Sequence, residues 1–132
     1  YEVELDPIRS KVRVLSKERI KFVIQGKNAA YWWKTGKEMM SRNDITAALK
    51  CFENGLSLDP TNFFNRFSHG MICFKLGLIL EAKNDYLMAS ILYPKELFAH
   101  YNLAICFNQL GEYKQSIQAV DKVLVHTIKA IS

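Results

Sequence analysis

From Ala29 onward, small and bulky apolar residues recur at helical intervals, with polar residues between them. Trp32, Gly36 and Met39 stand at i, i+4 and i+7, which is one face of a helix. Ala48, Phe52 and Gly55 keep similar helical intervals and predict a second helix. Between the two lies Asn43, a residue type that tolerates the left-handed backbone at which helices end. The arrangement then returns twice at a fixed distance. Rows of 34 residues, covering 29–62, 63–96 and 97–130, align without a gap. A period of this length belongs to stacked supersecondary units.

The columns of these rows have physical reasons. Position eight holds Gly36, Gly70 and Ala104, and position twenty holds Ala48, Ala82 and Ser116, so two helices of a hairpin can approach closely. Position twenty-four holds Phe52, Tyr86 and Val120, bulky groups that fill the space beside them. Position fifteen holds Asn43, Gly77 and Gly111, where the first helix of each pair must stop. Pro60 and Pro94 at position thirty-two block continuation of the second helix, whereas the last row has Ile128 there.

The rows resemble tetratricopeptide repeats. Row one supplies Trp32, Gly36, Ala48, Phe52 and Pro60 of that pattern, with Gly55 in place of an alanine. Row two supplies Gly70, Ala82, Ala89 and Pro94, with Tyr86 for phenylalanine. Row three supplies Leu103, with Ala104, Phe107 and Ser116 as near matches and Leu110-Gly111-Glu112-Tyr113 as an inter-helix turn. The departures are Arg66 and His100 at position four, and Thr35 and His69 at position seven. They are expected to weaken packing locally without disturbing the spacing. The resemblance implies an all-α fold, a right-handed superhelical solenoid of antiparallel helical hairpins.

It also implies a concave groove lined by the first helix of each hairpin. The candidate partner-binding residues there are Trp33, Lys37 and Met40 in row one and Phe64, Phe67, Met71 and Phe74 in row two. Row three adds Phe98, Tyr101, Asn102, Ile105 and Asn108. One branch of the family grips chaperone C-terminal carboxylates with Lys, Asn and Arg at set positions. Trp33, Lys37, Ser68, Phe98 and Asn102 stand there instead, so that clamp is not expected. An apolar peptide or amphipathic helix fits these residues better, since burying one large side chain contributes roughly 1.5–3 kcal/mol. The competing reading is a groove already filled, by neighbouring repeats or by the N-terminal segment.

Charge and composition narrow the partner. Of a formal net charge of +5, residues 1–28 carry +3, through Arg9, Lys11, Arg13, Lys17, Arg19, Lys21 and Lys27 against four acids. The repeats are nearly balanced and have no basic stripe, so nucleic acid is not the expected ligand. No uninterrupted apolar stretch is long enough for a membrane span. Cys51, Cys73 and Cys106 have no pairing pattern, which argues against a disulfide framework or a zinc site and suits an intracellular, cytoplasmic compartment. His69, His100 and His126 lie on different helices without a carboxylate at ligand spacing, so packed or surface histidines and no metal are expected. No phosphate loop, G-x-S-x-G or framed carboxylate pair is present, and neither catalysis, a cofactor nor a small-molecule substrate is expected.

The ends lie outside this pattern. Residues 1–28 read either as a strand, from the alternation of Ile20, Phe22 and Ile24, or as a helix with Leu15, Arg19, Phe22 and Val23 on one side. We expect the helix, capping the first repeat over Trp32 and Met39. Val120, Val123, Leu124 and Ile128 close the chain on an apolar face, which predicts further repeats, a partner or self-association. The function expected is a protein–protein interaction scaffold within a larger assembly. The alternative is a regulatory or targeting module of a longer, enzyme-containing chain.

Overall fold

The computed structural model describes residues 26–131, and the segment expected to cap the first repeat lies outside them. Among the described residues six helices follow one another: α1 (Ala29–Ser41), α2 (Ile45–Leu58), α3 (Phe63–Lys75), α4 (Ile79–Leu92), α5 (Leu97–Gln109) and α6 (Tyr113–Ile131). They pair as antiparallel hairpins α1–α2, α3–α4 and α5–α6. Each hairpin stacks on the next through α2 against α3 and α4 against α5. The architecture is an all-α helical-repeat solenoid.

The same local chemistry makes each hairpin. Asn43, Gly77 and Gly111 have φ of 59°, 80° and 76°, so the backbone reverses through the left-handed region at all three turns. At each turn the next amide reaches back to the last helical turn: Asp44 N–H to Met39 C=O, Leu78 N–H to Cys73 C=O and Glu112 N–H to Phe107 C=O, each at 2.8 Å. These 6→1 bonds satisfy carbonyls that the helix end would otherwise leave open. Asn28, Asp44 and Asn62 cap α1, α2 and α3 by accepting from the amides of Tyr31, Ala47 and Asn65.

Close approach within a hairpin is set by the small residues at position eight. A Cβ added to Gly36 would lie 2.5 Å from Phe52 Cε1, and one on Gly70 would lie 3.1 Å from both Asp85 Cβ and the Tyr86 ring. Ala48, Phe52 and Ile72 form one buried cluster, and Cys73, Ala82, Tyr86, Leu103 and Cys106 form another. Between hairpins, Asn65 is fully buried and its Nδ2 donates to the Ala29 carbonyl at 2.9 Å, tying the start of α1 to α3.

The two departures at position four each make a hydrogen bond across the inter-hairpin turn. Arg66 Nη2 donates to the Pro60 carbonyl at 2.8 Å, and His100 Nε2 donates to the Pro94 carbonyl at 2.7 Å. Each polar side chain therefore reaches six residues back to the proline that ends the preceding hairpin. Both ties cross the inter-hairpin turn, while Arg66 Nε and His100 Nδ1 are buried without a hydrogen-bond partner.

Cys51, Cys73 and Cys106 are all free and buried. Burial pushes the Cys106 thiol up to about 11, with nearby Lys83 opposing the rise. No described helix is long and apolar enough to cross a membrane.

Because the Phe52 ring occupies the space that a methyl group on Gly36 would need, Gly36→Ala forces either the ring or α1 to move. We expect a stability loss of about 1–3 kcal/mol, seen as a lower urea midpoint with an unchanged slope. Gly111→Asn, at a turn with open space around the Cα, is expected to change the midpoint far less.

Candidate functional site

The first helices of the three hairpins meet their neighbours differently. Between α1 and α3, Trp33 closes the gap. Its indole Nε1 donates to Ser68 Oγ at 3.2 Å, and its ring lies 4.9 Å from that of Phe64. Lys37 covers the other side of the indole, with Nζ 4.5 Å from the ring centroid. Met40 packs with Trp33 against the Phe52 cluster.

Between α3 and α5 the corresponding gap is open. At position five, where α1 has Trp33, α3 has Phe67, whose ring stacks on Phe63 at 5.6 Å and meets Tyr86 edge-on at 5.4 Å. The ring is thus held toward α4, and a hollow of about 460 Å³ remains. Phe67, Met71 and Phe74 wall it from α3, Phe98 and Ile105 from α5, and Tyr86 from α4. Lys75 and Asn102 bring polar groups to it. Phe98 keeps 73% of its surface exposed, which is a large apolar area left facing water.

Six of the residues singled out in the sequence therefore lie together around the hollow: Phe67, Met71, Phe74, Phe98, Asn102 and Ile105. Trp33, Lys37, Met40 and Phe64 lie on the adjoining surface and largely contact one another or the core. Tyr101 and Asn108 are exposed and do not line the hollow. Tyr86 does line it, although its column in the repeat marks it as a hairpin core residue. Only its size signals that a ring in that column can reach through to the concave side.

A second feature lies inside the middle hairpin. Asp85 on α4 is only 3% exposed, and it is compensated by two groups from α3. Arg66 Nη1 donates to Oδ1 at 3.1 Å, and His69 Nδ1 donates to Oδ2 at 2.5 Å. Cys73 Sγ is 3.7 Å from His69 Nδ1, and Glu53 Oε2 is 3.9 Å from His69 Nε2. The spacing of the histidines gives no sign of this cluster, because Asp85 is 16 residues from His69 and meets it only when the hairpin closes. Burial alone lowers the proton affinity of His69. The hydrogen bonds to Asp85 and Cys73, with their charges, outweigh it and raise the imidazole to about 10.

Solved structures similar to this one are tetratricopeptide-repeat proteins. The second TPR of Spaghetti (RPAP3), bound to the HSP90 peptide SRMEEVD, superposes with a TM-score of 0.69 at 21% identity over 74% of this chain and 90% of that one. The Sgt2 TPR domain from Aspergillus fumigatus gives 0.67 at 20% identity, covering 75% and 66%. YrrB, a TPR protein with an unusual peptide-binding site, gives 0.68 at 18% identity, and this chain spans 75% of its own length and about half, 51%, of that one. The chain has the tetratricopeptide-repeat fold. No family model matches the sequence, and no curated protein does.

The folded state holds the His69 proton more tightly than the unfolded chain, whose imidazole titrates near 6.5. This contribution to stability is complete below that pH and disappears as pH rises through about 10. In metal-free buffer the stability gap between the wild type and His69→Gln should therefore shrink steadily from pH 6 to pH 10, roughly the interval between the two titrations. Urea midpoints across that range measure it, and a constant gap would count against a protonated His69.

Proposed function

We propose that this protein is an interaction scaffold which seats an apolar side chain of a partner peptide or amphipathic helix in the hollow between α3 and α5, with no catalysis of its own. The observation that carries this reading is the hollow itself, walled by aromatic and aliphatic side chains and bordered by an exposed Phe98. The binding contacts are Phe67, Met71, Phe74, Phe98, Asn102 and Ile105. Lys75 at the hollow and Lys37 over Trp33 favour a ligand with a carboxylate beside its apolar anchor.

Two of the similar structures support a peptide ligand: one was solved with a bound HSP90 peptide, and one is described by its peptide-binding site. The positions that would form a carboxylate clamp hold Trp33, Ser68, Phe98 and Asn102 here, which favours an apolar anchor over a chaperone tail. A regulatory or targeting role within a longer chain uses the same surface.

The test is selection of peptides from a displayed random library on the purified protein, followed by affinity measurement. Peptides with a large apolar residue should be enriched, and Phe98→Ala should weaken them about 10–30-fold, the equivalent of about 1.5–2 kcal/mol. Because Phe98 is mostly exposed, the thermal midpoint should hardly move. Tyr101→Ala, off the hollow, should leave affinity within about threefold. Equal losses from both variants would sink the reading.

The same scaffold role extends to self-association. α6 leaves Ile117, Leu124, Ile128 and Ile131 between 53% and 82% exposed, an apolar stripe that a second copy of the chain can cover. Sedimentation at increasing protein concentration should show a rising mass for the wild type and a constant monomer for a Leu124→Glu, Ile128→Glu variant. A wild type that stays monomeric throughout would overturn this extension.

A further inference from the structure

We propose that His69, Cys73 and Asp85 form a binding site for one zinc-type transition-metal ion inside the middle hairpin. The three residues offer one nitrogen, one sulfur and one oxygen donor, and those atoms all lie within 4.8 Å of one another. His69 and Cys73 stand one helical turn apart on α3, and Asp85 faces them from α4. A tetrahedral ion with bonds of about 2.0 Å to nitrogen and oxygen and 2.3 Å to sulfur holds its donors roughly 3.3–3.6 Å apart. The sulfur already sits 3.7 Å from Nδ1, and the 2.5 Å between Nδ1 and Oδ2 must widen by less than about 1 Å. The ion then replaces the proton that His69 and Asp85 share, and the thiol proton leaves with it.

The groups around these donors are placed as an outer shell would be. Arg66 occupies Oδ1 of Asp85 at 3.1 Å and leaves Oδ2 for the ion. Nε2 of His69 faces Glu53 at 3.9 Å, so Nδ1 can ligate while the other ring N–H points at a carboxylate. Thiolate and carboxylate neutralise the dication, and the Arg66 and Glu53 charges balance each other. His69 and Glu53 are partly exposed, which gives the ion a way in and leaves a fourth position for water. One soft sulfur and one imidazole select zinc or cobalt over magnesium or calcium.

The repeat pattern does not call for these donor types. The equivalent positions in the first repeat are Thr35, Met39 and Cys51, and in the third Leu103, Phe107 and Ala119. Among the described residues only the middle hairpin brings three ligand types together. A purely ionic Arg66–Asp85–His69 network explains two of them and leaves Cys73 as a small buried core residue, so a sulfur ligand separates the two accounts.

The experiment is titration of the chelator-treated, reduced full chain with Zn²⁺ in competition with a chromophoric chelator, and with Co²⁺ followed by absorption. One ion per chain is expected, with a sulfur-to-cobalt charge-transfer band. Cys73→Ser should lose the band and about 100-fold in zinc affinity, while Glu53→Gln, on the surface, should lose about tenfold. A Cys51→Ala, Cys106→Ala variant should keep the band. Should Cys73→Ser fail to fold by circular dichroism, the wild-type spectrum decides. No saturable 1:1 binding, no sulfur band, or equal affinity in a folded Cys73→Ser would overturn the proposal.

Discussion

The distance between the two helices of a hairpin governs the rest of the molecule. At Gly36 that distance is too short for a methyl group, because the Phe52 ring stands where it would go, and at Gly70 a methyl group would meet Asp85 and the Tyr86 ring at a tight 3.1 Å. Glycine within a helix costs about 1 kcal/mol of backbone entropy relative to alanine, and burying a whole aromatic ring against it more than offsets this. With the helices this close, the turn has little freedom. The chain reverses through one left-handed residue, and the amide after it closes the same 6→1 bond at Asp44, Leu78 and Glu112. Stacking of one hairpin on the next then follows from three nearly equal units laid side by side.

Near-equality makes the exceptions informative. In the first hairpin the ring against the glycine belongs to phenylalanine, and its surroundings are apolar. In the second it belongs to tyrosine, and the neighbouring residue is a buried aspartate. A buried carboxylate is expensive without partners, and α3 meets it with Arg66 and His69, both at positions where the repeat pattern prefers apolar residues. Arg66 serves twice, since its other nitrogen holds the Pro60 carbonyl. The departures in row two are thus one correlated set rather than separate lapses in packing.

Most of the architecture could be read from the sequence because its determinants are local and recur at one period. Asn43, Gly77 and Gly111 mark the turns, and Gly36 with Phe52 marks a close approach, whatever else the chain does. The groove was legible only in outline. Position within the repeat places Tyr101 and Asn108 on the same footing as Phe98 and Ile105, yet only the latter pair borders the hollow. What separates them is the three-dimensional placement of the hollow, one wall of which is Phe67, stacked on Phe63 and meeting Tyr86 edge-on. The Asp85 cluster was hidden for a related reason. Spacing rules detect donors on one helix, whereas this cluster joins two helices across a turn.

The hollow and the polar cluster share a wall. Asp85 and Tyr86 are consecutive on α4, so the carboxylate held by Arg66 and His69 fixes the helix segment that presents the Tyr86 ring to the concave side. Gly70 touches both, with either neighbour 3.1 Å from the place of its absent Cβ. Burial also raises the Tyr86 hydroxyl well above its ordinary titration range, with smaller effects from Cys106, Asp85 and Cys73, so the ring stays neutral and can serve as an apolar floor. The Asp85 cluster and the floor of the hollow are thus one peptide unit apart. A buried charge cluster that the repeat pattern does not call for therefore lies directly behind the wall of the hollow between α3 and α5, the gap that has no counterpart of Trp33 to close it.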